Sequence, residues 1–323
     1  MARTAPSFWY EVDGRHAAPL LRALLTPLGW IYAASVRRRL RTTLPFDCGV
    51  PVICVGNLTA GGTGKTPVVR DLCQRLQAQG HTPAVLSRGY GGRLSGPVWV
   101  TPDHTAHDVG DEPLMLSKTA PVMVARDRVA GAKAIVETGH DVVIMDDGHQ
   151  NPSLKKTLSL VVVDATRGLG NGRVIPAGPL REPATAGLAR ADAVVLMGTG
   201  TPDLPAHPHP TMRATVSAND QAPSGPLVAF AGIGQPEKFF TTLRDLGAEV
   251  HETIPFPDHH PYTPADLQRL QDLAQHHQAR LITTEKDAMR LPPAFQTQGL
   301  TLPITLVWEA PETIDNFLQD LFA

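Results

Sequence analysis

A strand, a glycine-rich turn and a helix start follow one another between Pro51 and Gly80, and this order constrains the fold more than any other feature. The apolar run Pro51–Val55 predicts a buried parallel strand, and residues 68–79 predict a helix. The turn between them contains the letters GNLTAGGTGKT. Its glycines allow backbone N–H groups to point at phosphate oxygens, and the helix dipole adds favourable potential. The segment therefore predicts a phosphate-binding P-loop, although Thr59 stands where the usual pattern has its first glycine.

The predicted loop supplies the candidate nucleotide contacts. We expect Lys65 to reach the β- and γ-phosphates and the hydroxyl of Thr66 to bind Mg²⁺. The alternative is a glycine-rich turn without a ligand, but such a turn does not require Gly-Lys-Thr at a helix start. The candidate nucleotide-binding residues are Thr59, Ala60, Gly61, Gly62, Thr63, Gly64, Lys65 and Thr66.

Composition narrows the class of protein. A chain of 323 residues with 42% hydrophobic residues is long enough for two globular domains. The net charge of −2 provides no general attraction to nucleic acid, so we expect no nucleic-acid partner. The three cysteines have no metal-binding spacing and are typical of reduced thiols.

Residues 17–41 combine an apolar helical pattern with a cluster of arginines. The uncharged part, Ala23–Val36, is too short to cross a bilayer but suits an amphipathic helix that lies in the membrane interface. Arg37, Arg38, Arg39 and Arg41 follow it, where they would meet anionic headgroups. The alternative is a helix packed on the protein's own core. The apolar residues at helical spacing are Leu20, Leu21, Leu24, Leu25, Leu28, Ile31 and Tyr32.

Two acidic pairs are candidates for chemistry. The apolar strand predicted at residues 141–145 ends in Asp146 and Asp147, and a carboxylate at the end of such a strand beside a P-loop would hold Mg²⁺. Asp111 and Glu112 lie just ahead of a predicted helix, where carboxylates also serve as caps. Local pattern alone leaves both interpretations of this second pair open.

Strands alternate with helices at regular spacing, which predicts an α/β fold with a P-loop NTPase-type, doubly wound parallel sheet and a second, smaller α/β domain. A stretch rich in Pro, His, Thr and Ser marks the boundary. We expect the amphipathic interfacial helix within residues 1–45, the P-loop domain at 46–200, a linker or extended connection at 201–226, extended around Thr211–Val216, and the smaller domain at 227–323.

A series of motifs between about residue 50 and residue 290 resembles those of one family, the tetraacyldisaccharide 4′-kinases, which act in lipid A biosynthesis. The displaced first glycine of the loop is itself a feature of that family. The matching pieces are VGNLTAGGTGKTP (55–67), SRGYGG (87–92), GDEP (110–113), DDG (146–148), GNG (170–172), PAGPLRE (176–182), AGIG (231–234), FPDH (256–259) and TEKD (284–287).

The resemblance implies a reaction and a division of roles. The γ-phosphate of ATP would pass to the 4′-hydroxyl of a tetraacyl disaccharide 1-phosphate, giving lipid IVA. Lys65 and Thr66 would hold phosphates and Mg²⁺, and the acidic pair after the apolar strand would complete the metal site. Asp111 matches the family's catalytic aspartate, and His259 matches its partner from the second domain. The further active-site candidates are Glu112, Arg128, Arg181 and Glu182.

The resemblance also implies a place in the cell. Members are peripheral proteins on the cytoplasmic face of the inner membrane, so we expect a glycolipid substrate, membrane contact through the N-terminal helix, and a monomer. The chain departs from the family at Asn151, where many members have a histidine, while His149 stands two residues earlier. His260, beside His259, carries no assigned role.

A second class of P-loop protein, the ATPase switch, is the alternative to a kinase. ATPase switches of the partitioning or metal-insertion type use similar loops, but they carry a lysine just before the glycine pair, where this chain has Ala60. A GTPase is disfavoured because TEKD at 284–287 is not the guanine-reading Asn-Lys-x-Asp. Hydrolysis of ATP without a lipid product would favour the switch.

Overall fold

Two β-sheets organise the protein in the computed structural model, which describes residues 5–11, 14–218, 223–296 and 299–322. The strands are β1 (Val52–Gly56), β2 (Pro83–Ser87), β3 (Val98–Trp99), β4 (Val122–Val124), β5 (Val142–Asp146), β6 (Leu158–Asp164), β7 (Ala193–Met197), β8 (Thr211–Ala218), β9 (Leu227–Ala231), β10 (Val250–Pro255), β11 (Arg280–Thr284), β12 (Leu300–Leu302) and β13 (Ile304–Trp308). The helices are α1 (Pro19–Thr42), α2 (Lys65–Ala78), α3 (Ala106–Val109), α4 (Asp111–Leu116), α5 (Arg128–Glu137), α6 (Ala184–Leu188), α7 (Pro236–Asp245), α8 (Pro264–His276), α9 (Glu285–Ala288), α10 (Pro293–Gln296) and α11 (Pro311–Gln319).

The larger sheet has nine strands in the order β13-β8-β7-β6-β1-β5-β2-β4-β3. All neighbours are parallel except β3 with β4 and β13 with β8. Strands β1, β2, β5, β6 and β7 are buried along their whole length, which explains their nearly continuous apolar sequences. The predicted doubly wound α/β sheet is confirmed. Strand β1 lies between β5 and β6, so the loop that follows β1 emerges beside the acidic end of β5.

The smaller sheet has four parallel strands in the order β10-β9-β11-β12. One apolar cluster packs α7 against it through Phe239, Phe240 and Leu243, and another includes Leu270 of α8. Ion pairs join this unit to the larger one, among them Arg70 to Glu285 and Lys238 to Asp164, each with a nitrogen–oxygen distance of 2.9 Å.

The boundaries between the units differ from the expected ones. Residues 201–226, expected as a linker, contain β8, which pairs with β7 at the edge of the larger sheet. Residues 227–323, expected as the smaller domain, end in β13 and α11, which return to the larger sheet. The cause is apolar burial, since Ile314 and Leu318 of α11 are fully buried in the core that also holds Leu72 of α2.

The predicted N-terminal helix is present as α1. One face packs on the protein: Gly29 approaches the carbonyl of Val174 so closely that a Cβ would lie 2.9 Å from it, and Val36 is buried. The opposite face exposes a stripe of large apolar side chains, which we call the α1 stripe: Leu20, Leu24, Leu28 and Ile31. Among the described residues, no helix has the length and apolar character needed to cross a bilayer.

Candidate active site

The loop between β1 and α2 has the geometry of an anion cradle. Gly64 has a φ of 89° and occupies the N-cap position of the fourteen-residue α2, so no N-cap side chain competes for the first N–H groups of this helix. The side-chain amide of Asn57 donates to the hydroxyl of Thr63 at 3.2 Å. Space around Gly62 is open, with no atom within 4 Å of a Cβ built there. Uncapped N–H groups together with Lys65 fit a nucleotide's phosphates.

A second segment holds this loop in place from the side. The N–H of Ala60 donates to the carbonyl of Pro179 at 2.8 Å, and the N–H of Arg181 donates to the carbonyl of Leu58 at 2.7 Å. The motif at residues 176–182 is therefore bonded directly to the P-loop. This arrangement delivers the side chain of Arg181 to the acidic end of β5.

The two aspartates at the end of β5 have opposite environments. Arg181 donates two hydrogen bonds to Asp147, at 2.8 and 2.9 Å, and Lys65 lies 3.4 Å from the same carboxylate. Burial alone would raise the pKa of Asp147, but these cations outweigh burial and hold the pKa at about 2. Asp147 is thus already paired with cations supplied by the protein.

Asp146 is the buried member of the pair. Burial, and next the negative charge of Glu112, raise its pKa to about 7. Arg128 is buried beside it but donates to its backbone carbonyl, at 3.3 Å, rather than to its carboxylate. A buried carboxylate with no directly bonded cation is suited to a divalent metal ion. Within the part of the chain that the structure describes, no group of three or more His, Cys, Asp or Glu side chains could hold a metal ion. Mg²⁺ is commonly bound by one or two carboxylates together with substrate phosphates, which fits Asp146 beside the P-loop.

Asp111 and His259 meet although 148 residues separate them. Asp111 is the first residue of α4 and is buried, and its Oδ2 lies 3.0 Å from Nδ1 of His259. Asp111 accepts from the adjacent N–H of Glu112, at 3.0 Å, whereas Gly110 occupies the N-cap position. Burial would raise the pKa of Asp111, but the hydrogen bond from His259 and nearby cations lower it to about 2. The carboxylate is therefore charged and oriented.

Two basic residues at this position were missed by sequence reasoning. Lys286 lies 3.1 Å from Glu112 and 3.3 Å from Nε2 of His259, and Nε of Arg290 lies 3.2 Å from Asp111. Lys286 belongs to the TEKD motif that was recognised, but nothing in its local pattern shows which distant carboxylate it contacts. Only the packing of α9 against α4 brings them together.

The remaining candidates lie nearby but differ in exposure and partners. Glu182 is buried and paired with Arg190 at 2.8 Å and with Gln150 at 3.0 Å, and Gln150 also donates to the carbonyl of Asn57. Glu182 therefore supports the start of the P-loop. Asn151 accepts from the N–H and hydroxyl of Ser153, which closes a turn.

Two histidines near these motifs are held by other contacts. His149 is buried, its Nε2 donates to the carbonyl of Gly187, and burial lowers its pKa to about 4, so it is neutral. His260 pairs with Asp266 at 3.0 Å and stacks on Phe256, apart from the Asp111 pair.

Comparison with known proteins gives one consistent result. Residues 21–323 match the family model for tetraacyldisaccharide-1-P 4′-kinase. The chain is 52% identical to the tetraacyldisaccharide 4′-kinase of Rhodospirillum centenum, covering 99% of this chain and 97% of the relative. It is 49% identical to that of Hyphomonas neptunium, covering 98% of each. The crystal structure of LpxK from Aquifex aeolicus in complex with ATP superimposes with a TM-score of 0.77 at 27% identity, covering 94% of this chain and 100% of that one. The chain belongs to the tetraacyldisaccharide-1-P 4′-kinase family.

Proposed function

We propose that the protein transfers the γ-phosphoryl group of ATP to the 4′-hydroxyl of tetraacyldisaccharide 1-phosphate, giving lipid IVA, with Asp111 orienting that hydroxyl and accepting its proton. Membership of the family makes the protein an ATP-dependent kinase of lipid A biosynthesis. The assignment of roles rests on Asp111, which is buried and charged and is hydrogen-bonded to His259. Its neighbour Glu112 lies close enough to Asp146, at the end of β5, for its negative charge to raise the pKa of Asp146.

The P-loop residues bind and orient the nucleotide in this proposal. The residues from Thr59 to Thr66 surround the phosphates with backbone N–H groups, and Lys65 places a positive charge against them. Thr66 and Asp146 would hold Mg²⁺, with Asp147 next to them. Mg²⁺ neutralises charge on the phosphate oxygens when it is bound. Lys65 and Arg181 form ion pairs with Asp147, and their positive charges offset the repulsion between its carboxylate and the phosphates.

The protein's own groups then act on the acceptor hydroxyl. Phosphoryl transfer through a loose transition state depends mainly on positioning and on compensation of charge, and one carboxylate suffices to orient the attacking hydroxyl. Asp111 has the charge and the fixed orientation for that role. Arg128 donates to the backbone carbonyl of Asp146, and Arg181 donates to the carboxylate of Asp147, so both fix the acidic end of β5. Glu112 pairs with Lys286. Glu182 accepts from Gln150, which supports the start of the P-loop.

The α1 stripe supports the membrane part of the proposal. We infer that α1 lies in the membrane interface, with its apolar face in the acyl boundary and Arg38 and Arg41 at the headgroups, on the cytoplasmic face of the inner membrane. A kinase with a tetraacyl substrate needs its site at the bilayer surface. The proposed working form is a monomer, because one chain carries both Asp111 and His259 along with the P-loop.

The test is transfer of labelled phosphate from ATP to tetraacyldisaccharide 1-phosphate in mixed micelles. We expect a product labelled at the 4′ position, whose formation requires both Mg²⁺ and the disaccharide. Hydrolysis of ATP at the same rate with and without the disaccharide, and no labelled lipid, would contradict the proposal and support an ATPase switch instead.

A further inference from the structure

One short segment of the smaller unit places two cations against the Asp111–His259 pair. Lys286 lies in α9 and Arg290 lies just after it. Nζ of Lys286 is 3.3 Å from Nε2 of His259 and 4.0 Å from Oδ2 of Asp111. Nε of Arg290 is 3.2 Å from the same Asp111 oxygen. Nε2 of the imidazole thus faces Lys286, and Oδ2 of Asp111 faces both Nδ1 of the imidazole and Arg290.

The contacts with Lys286 and Asp111 together determine where the imidazole proton lies. An ammonium group has three donors and no acceptor, so Nε2 of His259 must accept from Lys286. The proton of the neutral ring is then on Nδ1, which donates to Asp111 at 3.0 Å. The carboxylate of Asp258 lies 3.9 Å from Nε2, beyond hydrogen-bond distance.

The segment itself is held firmly. Asp287 is fully buried and accepts from the hydroxyl of Tyr262 at 2.8 Å and from the N–H of Gly232 at 3.0 Å, and its carboxylate pairs with Arg290 at 3.2 Å. Burial alone would lower the pKa of Lys286, but the carboxylates of Glu112 and Asp111 outweigh burial and raise it, so the side chain stays charged. The two cations are therefore fixed in place.

We propose that Lys286 and Arg290 are positioning residues for the transfer reaction: Lys286 keeps a second proton off Nε2 of His259, so that the neutral ring donates to Asp111 through Nδ1, and Arg290 fixes the carboxylate that this proton contacts. The inference rests on the proposed role of Asp111 as the base. A hydrogen bond from Nδ1 and an ion pair from Arg290 meet at Oδ2, and the N–H of Glu112 donates to Oδ1 at 3.0 Å, so the direction of the carboxylate toward the acceptor hydroxyl is defined.

The first experiment reads the proton directly and needs no lipid. Protein with ¹⁵N-labelled histidine is recorded by two-bond ¹H–¹⁵N correlation at about pH 8, and a His259→Gln variant identifies the signal. At this pH we expect a proton on Nδ1 alone in the wild type. In Lys286→Met, Asp111 still accepts from Nδ1, so as the pH is lowered we expect Nε2 to take a second proton at a higher pH than in the wild type, because the ammonium group that opposes this proton is gone. A wild-type ring protonated on Nε2 alone, or a ring that titrates in Lys286→Met as it does in the wild type, overturns the inference.

The second experiment separates positioning from simple support of the fold. We expect Lys286→Met and Arg290→Gln to lower kcat by about tenfold or more while the KM for ATP stays within about twofold, and Arg290→Lys to recover part of the loss. The exposed Lys118→Met and Arg269→Gln serve as matched controls. The positioning role is overturned if kcat falls in Lys286→Met and Arg290→Gln only in proportion to a lowered Tm and Arg290→Lys recovers none of the loss.

Failure of the proposed function can be distinguished from failure of this inference. If the wild-type protein makes no labelled lipid, the transfer reaction is refuted. The protonation of His259 is measured without any substrate, so it tests the positions of Lys286 and Arg290 independently of that reaction.

Discussion

Nδ1 of His259 lies 3.0 Å from Oδ2 of Asp111, and this hydrogen bond joins residues carried by different sheets. His259 follows β10 of the smaller sheet and has a φ of 56°, a backbone conformation that is uncommon outside glycine. A hydrogen bond from its N–H to the carbonyl of Gly232, at 3.1 Å, holds that conformation. The smaller unit therefore presents its histidine from a defined position, and the state of Asp111 depends on where that unit lies.

Replacement of Asp111 by asparagine keeps the shape of the side chain but removes its charge and its ability to accept a proton. We expect kcat to fall by about 10²-fold or more while the KM for ATP changes little, as for loss of a general base. Steady-state kinetics in mixed micelles measure both constants. The exposed Asp103→Asn serves as a control, and near-normal kcat in Asp111→Asn would refute the assignment.

The low pKa of Asp111 also predicts how stability changes with pH. The pKa is about 2 in the folded protein, below its ordinary value of 3.8, so the charged carboxylate stabilises the fold above the unfolded pKa and loses this effect as pH falls. We expect a contribution of about 2 kcal/mol near neutral pH, with roughly half of it lost by about pH 3. Urea unfolding of the wild type and Asp111→Asn across this range measures the difference. A difference that does not depend on pH would contradict the prediction.

Lys65 is expected to be needed for any transfer. It lies at the first position of α2, 3.4 Å from Asp147, where its charge would offset the phosphates. We expect Lys65→Ala to lower transfer by about 10³-fold, because charge compensation in a closed site is a large term in catalysis. Lys118→Ala provides the comparison. Transfer within tenfold of the wild type, about 1.4 kcal/mol, would refute the P-loop assignment.

The α1 stripe predicts binding to lipid. Leu24 is 75% exposed and Leu28 is 52% exposed, so glutamate at both positions should disturb the fold little. We expect Leu24→Glu/Leu28→Glu to lose flotation with vesicles that contain anionic lipid, with an unchanged Tm, because two carboxylates oppose insertion of the helix face. Leu44→Glu is a matched control, since Leu44 is 92% exposed but lies outside α1. Undiminished flotation of the double variant would contradict the interfacial role.

The return of the chain terminus to the larger sheet can be tested through stability. Ile314 of α11 is fully buried in the core that includes β13 and α2. We expect Ile314→Ala to lower the free energy of unfolding by about 2–4 kcal/mol, through lost apolar burial and a residual cavity. Denaturant unfolding measures this, with the exposed Asn316→Ala as a control. A change under about 0.5 kcal/mol would show that α11 is not packed in this way.

The structural features that could be predicted from sequence are those whose signals lie within one short segment of the chain. Strand β1, the glycine loop and the start of α2 follow one another within about thirty residues, and each has its own local signal. The apolar strand that ends in Asp146 is equally local. Parallel topology then follows from the alternation of strands and helices, so neighbouring strand ends could be expected to share one edge.

The features that were missed depend on contacts between distant segments. An extended segment was expected around Thr211–Val216, but its place as β8 in the larger sheet follows only from pairing with β7 and β13. Lys286 and Arg290 have no local pattern that separates them from solvated basic residues. The contrast between Asp146 and Asp147 was also beyond prediction, because it arises from burial and from Arg181, which is 34 residues away from Asp147. Burial and partner geometry are properties of the folded chain.

Strands β8 and β13 have a mechanical consequence. The chain leaves the larger sheet at Ala218 and re-enters it at Ile304, and these two residues are paired opposite each other. The two chain connections to the smaller unit therefore start side by side, from two adjacent, hydrogen-bonded strands. Such a connection favours rotation of the smaller unit about this edge of the larger sheet over sliding along it. Each swing would carry His259, Lys286 and Arg290 toward or away from Asp111 together, so that entry of an acceptor and assembly of the proposed base would be one movement.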